Sequence, residues 1–245
     1  MSNPEARVII GTTIAPQGDL ANQKEALSGW MKAGFEVVAV NTSAEIEMLA
    51  AEFPGVCFSA ADTDGQERFG KPYIYLHSLL QALGKQEASL YGVVNSDIHL
   101  VDNRLREFVC QQATDSFLFG SRVDVTSLAD FGGGSLYRGG FDYFFFNRKL
   151  LSIYPEEEFC LGLPWWDYWI VLVPIARGIM VKRVDSPVVA HLAHSMRFSF
   201  DQWVRLGITL SKYFTPSFPI GKETMHNYLQ VILHMIESNP NVKIV

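Results

Sequence analysis

An amide and a carboxylate, Asn95 and Asp97, close the apolar run Leu90-Tyr91-Gly92-Val93-Val94. A short apolar run set between helical patterns reads as a buried central strand of an α/β sheet. Oxygen-bearing side chains at the end of such a strand sit on the sheet edge where open α/β folds bind ligands. Alternate residues of a strand share a face, so Asn95, Asp97 and His99 are expected to converge on one spot. Carboxylate and amide oxygens are what hard divalent cations such as Mg2+ and Mn2+ take as ligands. The plainer alternative is a strand-end cap or turn, which the same residue types favour.

A second carboxylate, Asp167, stands in the aromatic stretch LPWWDYW, residues 163–169. Apolar surroundings disfavour its charged form and raise its pKa, which suits a general base. Its alternatives are a helix N-cap or a partner for Arg177. His191 and His194, in VVAHLAHSMRF, follow a late apolar run and offer imidazoles either to a metal or to ordinary hydrogen bonds. The paired glycines Gly139-Gly140 let backbone approach a ligand closely, and Asp142 could accept from its hydroxyls; a turn would explain them equally. Arg68 and Lys71 flank Phe69-Gly70 ahead of a helical pattern, where they could counter phosphate charge or form a solvated pair. Trp165, Trp166, Trp169, Tyr143 and Phe144 are either a platform for sugar rings or core.

The elements that position these residues alternate through the first half. Strands are expected over residues 8–13, 36–41 and 56–59, helices over 20–33, 44–53 and 71–83, and then the strand that ends at Asp97. Alternation with short loops implies right-handed crossovers and a mostly parallel sheet. The second half is less regular. It has a helix over 103–112, a strand over 116–123, a glycine loop at 132–134, an aromatic stretch at 141–146 and a short helix over 147–153. Residues 166–176 are apolar and partly helical, with Pro174 limiting the helix. A late strand over 187–191 and two amphipathic helices over 201–214 and 223–238 follow.

With Asn95-Ser96-Asp97 at a strand end in this order of elements, the chain resembles the GT-A-type glycosyltransferases over roughly residues 7–200. Their acidic Asp-x-Asp site holds a divalent metal and the diphosphate of a nucleotide-sugar; the first Asp is Asn here. The resemblance implies an α/β, GT-A-like (Rossmann-like) fold with a mixed, mostly parallel sheet flanked by helices and with C-terminal helices. It divides residues 1–245, read as one domain, into a nucleotide-binding half at 7–100, an acceptor half at 101–200 and C-terminal helices at 201–245. It implies a nucleoside diphosphate-sugar donor, a hydroxyl acceptor such as a glycan or lipid-linked sugar, and Mn2+ or Mg2+ as cofactor. On this pattern Asp97 is a metal ligand, with His191 or His194 completing the metal shell and Asn95 as auxiliary. Asp167 resembles the base of inverting members, and Asp142 a donor-sugar contact. Arg68 and Lys71 would face the donor phosphates, and Thr12 and Thr13 the base or ribose. An offset register, with Asp97 and His99 as an Asp-x-His pair, is the alternative.

Rival nucleotide sites lack their glycines. The run Gly11-Thr12-Thr13-Ile14-Ala15-Pro16 is neither a Rossmann fingerprint nor a P-loop, and it lacks the basic glycine-rich loop of sugar-phosphate nucleotidylyltransferases. A chain of 245 residues with 48% hydrophobic and 19% charged residues is globular and can bury one large core. Its net charge of −6 argues against a general nucleic-acid partner. Cys57, Cys110 and Cys160 are too scattered for a disulfide framework or zinc ribbon, which fits a reduced, cytoplasmic protein. The N-terminal residues lack the layout of a signal peptide, and no apolar stretch has the length of a membrane span. Oligomeric state is not encoded in any of these features. Two further functions remain open at this point: a non-catalytic nucleotide-sugar or glycan binder, and a nucleotidylyltransferase.

Overall fold

The computed structural model describes residues 6–193, 198–215 and 224–245. The first half follows the alternation read from the sequence. Strand β1 (Val8–Thr12) leads to helix α1 (Leu20–Lys32), β2 (Glu36–Asn41) to α2 (Ser43–Leu49), and β3 (Cys57–Ala60) to the short α3 (Gln66–Phe69) and α4 (Leu76–Gly84). Then comes β4 (Leu90–Val94). Local signals set these boundaries. The Asp19 carboxylate caps α1 by accepting from Asn22 N at 3.0 Å, and Gly34 turns the chain out of the helix at φ +88°. Thr42 and Glu45 form a reciprocal capping box at the start of α2.

The second half supplies β5 (Ile98–Leu100), α5 (Leu105–Gln112), β6 (Phe117–Gly120), β7 (Val123–Val125), β8 (Ser135–Leu136) and β9 (Tyr143–Asn147). Helix α6 (Trp166–Ala176), β10 (Val181–Val184), β11 (Val189–Leu192), α7 (Phe200–Phe214), α8 (Met225–Glu237) and β12 (Val242–Ile244) complete it. Among the described residues, one sheet runs β12-β10-β6-β9-β4-β1-β2-β3 and a smaller one β5-β11-β7-β8. The large sheet is parallel except for β9, which lies antiparallel between β4 and β6.

Both faces of the middle of the large sheet are covered, which is why β4 and β6 are buried at every position. Ile9, Val38, Tyr91, Val93, Phe144 and Phe146 pack on one face under α4, α6, α7 and α8. Ile10, Val37, Ala39, Val94, Tyr143 and Phe145 pack on the other against α1, α2 and α5. Each large side chain buried this way contributes about 1.5–3 kcal/mol. Trp165, Trp166, Trp169, Tyr143 and Phe144 are all buried in these layers, so they form core and not a sugar platform.

Several local expectations are corrected. Asn95, Ser96 and Asp97 form a turn between β4 and β5, not the end of one strand. The helix expected from residue 71 starts at Leu76, because Pro72 disfavours helix before it and Ile74 and Tyr75 make extended bridges to Asp64 and Cys160. The strand expected over 116–123 is two strands in different sheets, β6 and β7. Residues 128–133 form 3-10 turns, and Pro174 sits one turn from the end of an otherwise complete α6. Strands β5, β8, β9, β10 and β12 were not anticipated. Among the described residues, no helix is long and apolar enough to cross a membrane.

Candidate functional site

The turn carrying Asp97 is fixed by α1. Trp30 Nε1 donates to Ile98 O at 2.7 Å, Ser96 Oγ to Gln23 Oε1 at 2.7 Å, and His99 Nε2 lies 2.6 Å from Asn22 Oδ1. Gln23, itself buried, also bonds both the N–H and the carbonyl of Ala15, tying the loop after β1 to the same turn. Asn41 clamps that loop from the other side through Ile14. Thr12 is fully buried and its hydroxyl has no hydrogen-bond partner among the described residues; Thr13 lies at the partly open start of the loop.

From Asp97 a chain of polar contacts runs across the C-terminal ends of the strands. The smaller sheet sets its first step. β11 pairs antiparallel with β5, which places His191 opposite Ile98, and parallel with β7, which places it beside Asp124. The imidazole Nδ1 is 2.9 Å from Asp124 Oδ1 and Nε2 is 3.7 Å from Asp97 Oδ2. Asp124 accepts from Arg122 Nε at 2.8 Å, and Arg122 Nη1 donates to Asp142 Oδ1 at 2.5 Å. The Arg122 guanidinium lies 4.2 Å from the centre of the Tyr137 ring. At the far end, Phe141 N donates to Asp167 Oδ2 at 3.1 Å. A β-carbon on Gly140 would stand 2.7 Å from that same oxygen, so only glycine lets the loop close on the carboxylate.

The electrostatics follow from this geometry. Burial alone would raise the Asp124 carboxyl, but bonds from Arg122 and His191 outweigh it and hold the pKa below the usual range. Burial raises Asp142 above its usual range despite the opposing Arg122 charge. Burial works against the Arg122 charge, yet Asp142 and Asp124 together raise its pKa. Asp167 is pushed up to about 7, chiefly by burial, with backbone N–H groups of Phe141 and the first turn of α6 restraining the rise. Burial also lowers His99.

Helix α6 delivers Asp167 through an unusual backbone. Trp165 precedes the helix at φ +74°, a left-handed conformation that costs a residue bearing a β-carbon about 1–2 kcal/mol. Its buried indole donates to Trp203 O at 2.7 Å and packs on the rings of Trp203, Tyr168 and Tyr228, so α7 and α8 hold the turn in place. Arg177, the alternative partner for Asp167, caps the opposite end of α6.

The structure thus links Asp97, His191 and Asp142 in one contact chain, with Asp167 bonded to the backbone of Phe141 next to Asp142. His194 lies outside the described residues. Asn95 is half-buried beside Asp97, and its amide has no hydrogen-bond partner among the described residues. Asp142 is 2% exposed and committed to Arg122, so contact with a donor sugar is not available to its carboxylate. His99 is turned toward Asn22, against a paired Asp97-His99 site. Arg68, in α3, and Lys71 line a different cleft, with Arg205 of α7, and the helix expected to open at Lys71 starts at Leu76 instead. Arg122, Asp124 and Tyr137 escaped sequence reading. The available signal was Arg122-Val123-Asp124, two charges on one face of a strand just after an apolar run.

Among the described residues, no group of three or more His, Cys, Asp or Glu is disposed to hold a metal. Asp97 and His191 nevertheless suit one. Two donors each about 2.1 Å from one cation lie roughly 3–4 Å apart, and the carboxylate on Nδ1 is the partner that turns Nε2 of a histidine toward a metal.

The fold is GT-A-like. TarS from S. aureus, residues 1–349 in complex with UDP-GlcNAc, superposes with a TM-score of 0.53 at 13% identity, over 94% of this chain and 72% of that one. The mannosyltransferase PcManGT from Pyrobaculum calidifontis, in complex with GDP-Man and Mn2+, gives 0.52 at 15% identity, over 96% and 71%. No protein-family model matches the chain, and no curated protein matches it.

Proposed function

We propose that this chain is a metal-assisted glycosyltransferase that moves a sugar from a nucleoside diphosphate-sugar to a hydroxyl acceptor. The observation that carries the reading is the line Asp124–His191–Asp97, in which one carboxylate orients the imidazole toward the other. Solved structures of the same fold hold UDP-GlcNAc, or GDP-Man with Mn2+, which supports a donor of that class. Asp97 Oδ2 and His191 Nε2 would hold Mn2+ or Mg2+, Asn95 would assist, and Asp124 would fix the histidine. A bound cation supplies charge neutralisation to the departing diphosphate. Asp167 takes the proton of the acceptor hydroxyl, whose oxygen bonds to the anomeric carbon as the bond to the diphosphate breaks. Its pKa of about 7 lets it accept that proton near neutral pH. The free cysteines accord with a cytoplasmic location.

A thermal-shift screen of nucleoside diphosphates and their sugars, with Mn2+ and with chelator, should find a nucleotide that stabilises the protein only when Mn2+ is present. Asp97→Ala should abolish Mn2+-dependent hydrolysis of that donor while the melting temperature stays nearly unchanged. Retained hydrolysis in this variant would remove Asp97 from the mechanism. Asn95, uncharged where the family pattern has a carboxylate, favours a second reading as a non-catalytic binder on the same fold. Nucleotide binding of equal strength with and without Mn2+, with no donor hydrolysis, would select it.

A further inference from the structure

A cleft of about 380 Å³ opens beside α3 and α7, and none of the residues of the acidic centre lines it. Arg68, Phe69, Lys71 and Tyr73 line one side and Arg205 the other. Behind them Glu158, whose side chain is 12% exposed, accepts from Arg68 Nε, from Arg205 Nη2 at 3.0 Å and from Thr209 Oγ1 at 2.5 Å. One carboxylate therefore holds two guanidiniums in register. Neither guanidinium makes a further hydrogen bond among the described residues, and the two side chains remain 50% and 41% exposed. Each keeps unused N–H donors on the surface that lines the cleft. Arg205 also lies 5.3 Å from the centre of the Phe69 ring, which limits its motion further. Lys71 is exposed and has no partner among the described residues.

Arg68, Arg205 and Lys71 outnumber Glu158 and Glu157, the carboxylates that act on Arg68, which leaves a positive excess on a chain whose formal net charge is −6. Paired guanidiniums with free forks match the oxygens of a phosphate group, and a nearby lysine adds a point charge. Phe69 and Tyr73, edge to face at 6.2 Å and both half-buried, offer ring surface against which the C–H face of a sugar packs. We propose that this cleft is a second ligand site, for a phosphate-bearing glycan. Resting on the transferase reading, it holds the hydroxyl acceptor, while the donor diphosphate is held at the acidic centre. The volume is in the range of small-molecule sites, about 300–1,000 Å³.

Phosphorus NMR titration of the full chain with inorganic phosphate and with glucose 6-phosphate, both in chelator, tests this. Glucose 6-phosphate should bind several-fold tighter than inorganic phosphate, and Phe69→Ala should erase the difference. Lys71→Gln, which breaks no bond of the fold, should weaken both ligands by roughly threefold to tenfold. Arg68→Gln/Arg205→Gln should abolish both while circular dichroism confirms the fold. Nucleoside diphosphate binding with Mn2+ should keep its wild-type affinity in every one of these variants. Phosphate binding unchanged in the Lys71 and double-arginine variants overturns the site. Loss of nucleoside diphosphate binding in them overturns the proposal by giving the cleft to the donor. If the wild type binds glucose 6-phosphate in the cleft but no nucleoside diphosphate, the site stands and the transferase reading alone falls.

Discussion

The acidic centre and the basic cleft are built on one plan with opposite signs. In the centre a single guanidinium, Arg122, sits between Asp124 and Asp142. In the cleft a single carboxylate, Glu158, sits between Arg68 and Arg205. In each case one charge of the minority sign fixes two groups of the majority sign. The two differ in depth. Asp142 is buried to 2% exposure, so the centre depends on Arg122 for its stability, whereas the arginines of the cleft are half in water and screened.

That contrast can be broken by removing each minority charge in turn. Arg122→Met leaves Asp142 buried without a counter-charge, and urea unfolding should show a loss of about 3–5 kcal/mol. Asp124→Ala frees the His191 ring, and Mn2+ affinity measured by calorimetry should fall roughly 10- to 100-fold with the fold intact. For Asp167 the expected effect is a pH limb. Donor-to-acceptor turnover should fall about tenfold per pH unit below about 7 and level off above it. The same raised pKa makes ionisation of Asp167 a cost to the folded state. Asp167→Asn should therefore gain stability over wild type progressively from about pH 4 to about pH 7, and no more beyond. The smallest effect belongs to the cleft. Glu158→Gln should cost only about 1 kcal/mol in the same unfolding assay, because solvent screens the arginines it leaves. A loss as large as that of Arg122→Met would show that the two regions do not differ in depth as described.

The strands and helices of the first half were legible because β1, β4 and most of β2 are buried on both faces, so the sequence there is nearly continuously apolar between turn residues. Leu90–Val94 was read as a strand, though one carried on to Asp97, three residues past its observed end. What followed was not. Ile98–Leu100 is a three-residue strand whose partner, β11, lies some ninety residues further on, and no local pattern announces such a pairing. The same distance hid Asp124, whose meaning depends on the register of β7 against β11. β10 was missed because Lys182 and Arg183 interrupt its apolar pattern, their polar ends reaching Gln112 and Glu237. Asp167 could be singled out from its aromatic neighbours alone, since burial is what those neighbours do to a carboxylate. Arg68 and Lys71 were read as phosphate-facing from their charge, but charge alone does not say which cleft a side chain lines.

Position 165 makes two demands that no single amino acid satisfies together. Its main chain is shaped for glycine, which would relax the torsion without loss, while its indole is what joins three helices around that corner. Replacement by glycine would trade a distortion for a void, and replacement by a smaller ring would keep the distortion and loosen the joint. The residue two places further on inherits its aim from this unresolved compromise, so the direction of the proposed proton acceptor is decided by an indole that does not touch that carboxylate.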